Sequence, residues 1–318
     1  VLLAVCMFLM KITVRGISSE RTALPKAALR RRAVRKAAAA AVISAVLVMV
    51  LFLDFRSGTL NMVFIDVGQG DCILLESPAG SVYMIDAGSS TVSNPAGSRI
   101  SGALKYRGIS SVDYMFITHP DTDHCSGVLE MIGSTGSGNE ESLPEIRCIL
   151  MPSMPDNETC NEIKRAAALK GINVIELHKG MEITDGALRI KCIHPAAEYK
   201  SDDINDCSAV LDIRYGDFSA LLTGDLETDG EVLIMDELRT DMPEGNYDVL
   251  KVAHHGSKNS TSSEFLELVM PDIAVISSGR NNKYGHPHKE TVERLETSGA
   301  RIYNTQNEGE IIITADGD

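Results

Sequence analysis

Paired cysteines are what this sequence lacks first: its seven cysteines (Cys6, Cys72, Cys125, Cys148, Cys160, Cys192 and Cys207) are scattered, and no two form a CxxC. An odd, dispersed set excludes a disulfide framework, and most of these side chains are expected to be small buried hydrophobes. Positive charge is scarce beyond residue 59. Residues 1–59 hold ten Lys or Arg and two acids; the whole chain is −14, so residues 60–318 carry −22. So acidic a region is a poor nucleic-acid clamp through bulk attraction, although a metal cluster could still neutralise a phosphate locally. No short repeat is visible. An initiator Met is missing too: the chain opens at Val1 inside the apolar run Val1–Met10, and is expected to be the C-terminal part of a longer protein.

Charge is also absent from Ala37 to Leu53, a run of seventeen residues at the short end of what spans a bilayer. A buried helix is the alternative, but Arg30, Arg31, Arg32, Arg35 and Lys36 crowd its N-terminal flank and only Asp54 and Arg56 follow. Positive charge collects on the cytoplasmic side. Residues 1–56 are therefore expected to be a membrane segment, with the end of one span, a cytoplasmic basic loop and a second span over 37–53. Residues 60–318 then lie on the extracytoplasmic side of the cell membrane. A signal peptide fits less well, because the basic region would be unusually long and no clear cleavage site follows.

What residues 60–318 do contain is short Val- and Ile-rich runs between polar turns. Asn61–Val67, Cys72–Ser77, Ser81–Asp86, Tyr114–Thr118, Arg147–Met151, Asn173–Glu176, Ala187–Ile193, Ser208–Tyr215, Phe218–Thr223, Val249–Ala253, Ile273–Ser277, Arg301–Asn304 and Glu310–Thr314 read as strands. Helical periodicity appears around Ile100–Tyr106, Gly127–Ile132, Asn161–Leu169, Gly230–Leu238, Ser263–Val269 and Lys289–Thr297. Gly133–Pro144 reads as a flexible loop. The pattern predicts an α/β fold of sheets packed on each other and covered by helices.

The chemistry concentrates at His119-Pro120-Asp121-Thr122-Asp123-His124, which leaves an apolar strand. Four ligand-type side chains in six positions can converge on metal; a solvated acidic turn would explain the aspartates but not the flanking histidines. His119-x-Asp121-x-Asp123-His124 resembles the HxHxDH signature of the metallo-β-lactamase superfamily, with Asp in place of the second His. Further stations follow in order: the DVGQGD of Asp66–Asp71, the IDAG of Ile85–Gly88, the LTGD of Leu222–Asp225, the HHGS of His254–Ser257 and the YGHP of Tyr284–Pro287. Together they resemble the ComEC branch of competence proteins, across nearly all of residues 60–318.

This resemblance implies a four-layer αββα sandwich preceded by a transmembrane helix, and two divalent metal ions. It places His119 and Asp121 on one metal, Asp123 and His124 on the second, and Asp225 as the bridge. Neighbours on a strand point opposite ways, so one of His254 and His255 is expected to reach the metal; analogy favours His255, with His254 packing behind. Asp123 would orient the attacking hydroxide and His286 assist the leaving oxygen. Lys258, Arg280 and Lys283 are candidate phosphate contacts. The superfamily's lone His between the first cluster and the bridging Asp is missing, so either Asn205 or Asp206 substitutes or the first metal binds weakly. Oxygen ligands there would shift preference from Zn²⁺ toward Mn²⁺. The implied activity is hydrolysis of a phosphodiester, as a nuclease acting on extracellular DNA during uptake, beside a membrane channel domain of the same full-length protein. Another small substrate (a nucleotide, lactone or phospholipid) or a non-catalytic DNA-binding or channel-plug role are the alternatives. The glycines of GQGD are expected to make a tight turn rather than a phosphate loop.

Overall fold

A computed structural model of the chain describes residues 34, 36–44, 58–134, 143–154, 156–242 and 246–317. The chain divides into two units at Phe55/Arg56. Before that boundary residues 36–44 are helical and exposed. The expected early span at Val1–Met10, and the expected span over 37–53 beyond residue 44, lie outside the described residues. Among the described residues no helix is long and apolar enough to cross a membrane. Most of the loop expected at 133–144 lies outside them too.

In the second unit, strands with apolar residues on both faces build two seven-stranded sheets. Sheet one opens with a meander, β1 (Leu60–Phe64), β2 (Ile73–Glu76) and β3 (Val82–Ile85), then adds β5 (Tyr114–Phe116), β7 (Cys148–Met151) and β8 (Asn173–Glu176) in parallel. Its other edge is β16 (Ile311–Ala315), which pairs antiparallel with β1 from Leu60↔Ala315 to Phe64↔Ile311. Sheet two runs from β9 (Glu182–Asp185) through β10 (Leu188–His194), β11 (Val210–Tyr215) and β12 (Phe218–Leu222) to the parallel β13 (Val249–Lys251), β14 (Ile273–Ile276) and β15 (Arg301–Asn304). The two-residue β4 (Ser111–Val112) and β6 (Glu145–Ile146) pair separately.

Side chains alternate across each strand, which gives every sheet two packed faces. Leu60, Met62 and Phe64 of β1 meet Leu211 and Ile213 of β11 in the core between the sheets. Val63, from the other face of β1, packs with Val128 and Ile163 under the helices Thr122–Ser134 and Glu158–Lys170. On the far side, Val210 and Leu250 meet Ile234, Phe265 and Leu295 of three more helices. The layers are helix, sheet, sheet, helix. Local chemistry sets the helix ends: the Asn157 side chain accepts from Cys160 N, and Gly171 closes the same helix at φ +70°.

Six connections project together from the C-terminal ends of β1, β3, β5, β12, β13 and β14. These are segments 66–71, 86–89, 118–124, 223–225, 252–257 and 277–286, and they hold the motifs singled out above.

Candidate metal centre

The first half of the site leaves β5. Thr118, His119 and His124 are buried, and the helix begins at Thr122, so Asp123 and His124 sit in a first helical turn rather than in an extended one. A carboxylate there is favoured by the helix dipole. Asp86, at the end of β3, accepts from Thr118 N at 2.8 Å and from Thr118 Oγ1 at 2.7 Å, and lies 2.8 Å from His124 Nδ1. That contact fixes the His124 ring with its Nε2 forward, 3.1 Å from Asp225 Oδ1. Thr118, having donated to Asp86, can accept from the Nδ1–H of His119 at 3.1 Å. His119 Nε2 then points forward too, 3.8 Å from Asp121 Oδ2 and 4.0 Å from Asp225 Oδ2.

The second half comes from sheet two. Asp225 stands just past β12 and is buried. The strand expected over Val249–Ala253 stops at Lys251, and Ala253–Gly256 is a tight turn with His254 at φ +47° and His255 at φ +53°. Strand alternation therefore does not separate the two histidines, and the expectation that it lets only one of them reach the site fails. Left-handed backbone at two adjacent non-glycine residues costs of order 1–3 kcal/mol each. His255 Nδ1 donates to Ser277 O at 2.9 Å, and its Nε2 lies 3.5 Å from both Asp123 Oδ2 and Asp225 Oδ2. His254 is less buried, with Nε2 3.7 Å from Asp225 Oδ2 and Nδ1 3.0 Å from Glu227 Oε1.

The electrostatics follow from this crowding. Burial would raise the Asp225 carboxyl, but His124, His255 and His119 outweigh it and hold it well below the usual carboxylate range. Burial opposes ionisation of Asp123 as well, yet His255 and His124 bring it down to about 2. His119 is pushed well below its ordinary value, first by burial and then by His124.

The donor set fits a metal ion. The Nε2 atoms of His119, His124 and His255 and Oδ1 of Asp225 are buried without a hydrogen-bond partner, an arrangement that is costly unless something satisfies it. Asp71, His124, Asp225 and His255 offer ligand atoms within 4.8 Å of one another. Asp71 also meets a cation: its Oδ2 is 2.7 Å from the buried Lys251 ammonium, it lies 3.8 and 3.9 Å from the Nδ1 atoms of His124 and His255, and its Oδ1 is buried without a hydrogen-bond partner. The GQGD turn brings it there: Asp71 N donates to Asp123 O at 2.9 Å, and a Cβ on Gly70 (φ +152°) would meet that oxygen at 2.5 Å. The tight turn expected of these glycines is what lets the two segments touch.

Sequence reasoning missed Asp71, Asp86 and Lys251 as parts of the site. Lys251 did leave a signal, a charge inside an apolar strand. Asn205 and Asp206 occupy a short turn, where Asp206 lies 3.5 Å from Ser201 Oγ and its carbonyl contacts His194 Nε2 at 2.7 Å. Neither belongs to the buried ligand group; Asn205 lines an open cleft with the half-exposed Asp121. His286 is buried with its ring 5.4 Å from that of His254. Lys258, Arg280 and Lys283 are exposed; Arg280 donates to Gln306 O, and Lys283 Nζ lies 4.9 Å from the Tyr284 ring centroid.

Known proteins are similar to the chain in sequence or in architecture. The profile of the metallo-beta-lactamase superfamily matches residues 65–139. ComE operon protein 3 of Bacillus subtilis is 31% identical over 264 residues, covering 78% of this chain and 32% of its own length. Recombination protein 2 of Haemophilus influenzae is 29% identical, covering 83% of this chain and 30% of its own length. Competence protein ComA of Neisseria gonorrhoeae is 27% identical, with 77% and 30% covered. The chain thus spans about a third of the length of these relatives. Among solved structures, the metallo-beta-lactamase fold protein YhfI of Bacillus subtilis aligns with 80% of this chain and 100% of its own at a TM-score of 0.53 and 11% identity. CmlA, a diiron β-hydroxylase of Streptomyces venezuelae, aligns with 80% of this chain and 54% of its own at 0.54 and 14%. A buried Asp/His cluster fit to hold metal on the metallo-β-lactamase-superfamily hydrolase fold, together with the likeness to these three proteins over more than three quarters of the chain, places the chain in the ComEC family.

Proposed function

We propose that the chain is a metal-dependent phosphodiesterase that cuts DNA during competence-related uptake. The observation that carries the reading is the set of three buried imidazoles, His119, His124 and His255, whose Nε2 atoms have no hydrogen-bond partner and face the Asp225 carboxylate at 4.0, 3.1 and 3.5 Å. His119 and Asp121 would hold one divalent cation, Zn²⁺ or Mn²⁺, and Asp123, His124 and His255 a second, with Asp225 between them and His254 at the edge. Bound there, such cations supply an acidified water and a clamp on the attacked phosphate.

The chain's own residues do the rest. Asp123 is ionised and partly open to solvent, so it can orient the nucleophile through a hydrogen bond. Asp86, Ser277 O and Thr118 hold the three imidazoles in the tautomer that leaves Nε2 free. Burial, then the neighbouring His255, His254 and His288, brings His286 down to about 4. Near neutral pH its ring is therefore uncharged and serves as an N–H donor to a phosphate or leaving oxygen. The exposed Lys258, Arg280 and Lys283 would meet flanking phosphates. The likeness to a recombination protein and a competence protein supports the choice of DNA. The reading includes a membrane-anchored chain, residues 60–318 on the extracytoplasmic side and a channel domain in the same full-length protein.

The test titrates Mn²⁺ and Zn²⁺ into metal-free protein while following metal content and cleavage of DNA and a bis-phosphodiester. Asp225→Asn should lose roughly a thousand-fold or more of turnover, and its bound metal, with an unchanged circular dichroism spectrum. Full activity in that variant, or no cleavage by the wild type with either metal, sinks the reading.

A further inference from the structure

Beside the metal centre the protein leaves a large aromatic ring in water. Tyr284 is 43% exposed, and its ring stacks on His286 with centroids 5.6 Å apart and planes 21° from parallel. His286 leads inward from there: it is buried, its Nδ1 has no hydrogen-bond partner, and its ring is 5.4 Å from His254 and 6.2 Å from His255. The segment is held in shape. Asn282 Oδ1 accepts from Tyr284 N at 3.2 Å and His286 N at 2.9 Å, while its Nδ2 donates to Gly279 O at 2.8 Å and His286 O at 2.6 Å.

The surrounding charge is asymmetric. Lys258, Arg280 and Lys283 are exposed near the late histidines, with Lys283 Nζ 4.9 Å from the Tyr284 centroid. Asp121, Asp202 and Asp203 line an open cleft on the Asp121 side of the site, with Ile204 and Asn205 and no cation. A polyanion is therefore steered toward the aromatic, basic wall.

We propose that Tyr284 is a stacking platform for an unpaired nucleobase beside the phosphodiester offered to the metal centre, which makes single-stranded nucleic acid the preferred substrate. The inference rests on the phosphodiesterase reading above. Bases in a duplex are already paired and stacked, and presenting one would require flipping it out. An unpaired base offers its π-face freely, and such stacking is worth about five-fold or more in affinity per base. The contact of Lys283 with an exposed ring is weaker than a base stack, so the ammonium can leave the ring for an adjacent phosphate.

Two measurements test this. In EDTA, an oligonucleotide carrying 2-aminopurine should lose fluorescence on binding the wild type and Tyr284→Trp, but keep it with Tyr284→Ala. With metal, Tyr284→Ala should raise KM for a single-stranded oligonucleotide about five-fold or more with kcat within two-fold, Tyr284→Phe should not, and an abasic version should show the high KM with every variant. Unquenched 2-aminopurine on the wild type, equal KM changes on intact and abasic strands, or faster cleavage of duplex than of single strand overturns the platform while leaving a phosphodiesterase. Absence of cleavage of any of these strands overturns both.

Discussion

Replacing Lys251 with Met would remove one member of a charge pair sealed from water. The ammonium lies 2.7 Å from Asp71 Oδ2, with the two side chains 1% and 2% exposed. At that distance the attraction is about 6 kcal/mol for an effective dielectric constant of about 20, while each ion forfeits several kcal/mol of hydration on burial. The intact pair is therefore close to neutral, but the broken one is not. Without the ammonium, the Asp71 carboxylate is left buried near Asp86 and Asp225, and the expected cost is about 3–5 kcal/mol, against a total stability of about 5–15 kcal/mol. Adding Asp71→Asn removes the stranded charge, and the double variant should recover about 2 kcal/mol or more. Urea unfolding of the wild type, both single variants and the double variant closes the cycle. The melts belong in EDTA, so that no cation substitutes for the lost ammonium. A coupling below about 0.5 kcal/mol would refute the claim that the pair is a buried unit.

Two other perturbations test the surroundings. Asp86→Asn weakens the 2.8 Å contact that orients His124 and should lower metal affinity about 10- to 100-fold, read by competition with a chelating dye; unchanged affinity removes Asp86 from the site. Glu237 would be raised by burial, but Lys179 and Lys191 outweigh it and hold its carboxyl low, and Lys191 is the first cause of the low Asp241 carboxyl. Stability from these lowered groups is complete above the ordinary carboxylate pKa and is lost as pH falls through their lowered values. Urea midpoints from about pH 6 to about pH 3 should show that loss, and Lys191→Met should flatten it; parallel curves for the two proteins would contradict the assignment.

How far the sequence could be read depends on the element. Asn173–Glu176 and Ser263–Val269 are bounded by turn or capping residues, and there pattern and structure agree to the residue. Val249–Ala253 was read too long because the apolar run continues past Lys251 while the backbone already turns toward the left-handed histidines. β9 escaped because its Glu-Ile-Thr-Asp sequence has one apolar residue and half-exposed faces. Motif order pointed to His119, Asp121, Asp123, His124, Asp225 and His255, which the fold does bring together. The support behind them was not legible, since Asp86 meets His124, and Lys251 meets Asp71, only through the pairing of distant strands.

The pairing of the first and last strands has a consequence for how such a domain can be housed. Leu60 lies opposite Ala315 in one ladder, so the polypeptide enters and leaves the sandwich at neighbouring points on one edge. A domain with adjoining ends can be carried within or beside other modules at a single junction, with little demand on its host. That suits a unit occupying about a third of its relatives' length, and it keeps the junction on a sheet edge, away from the loops that gather the histidines.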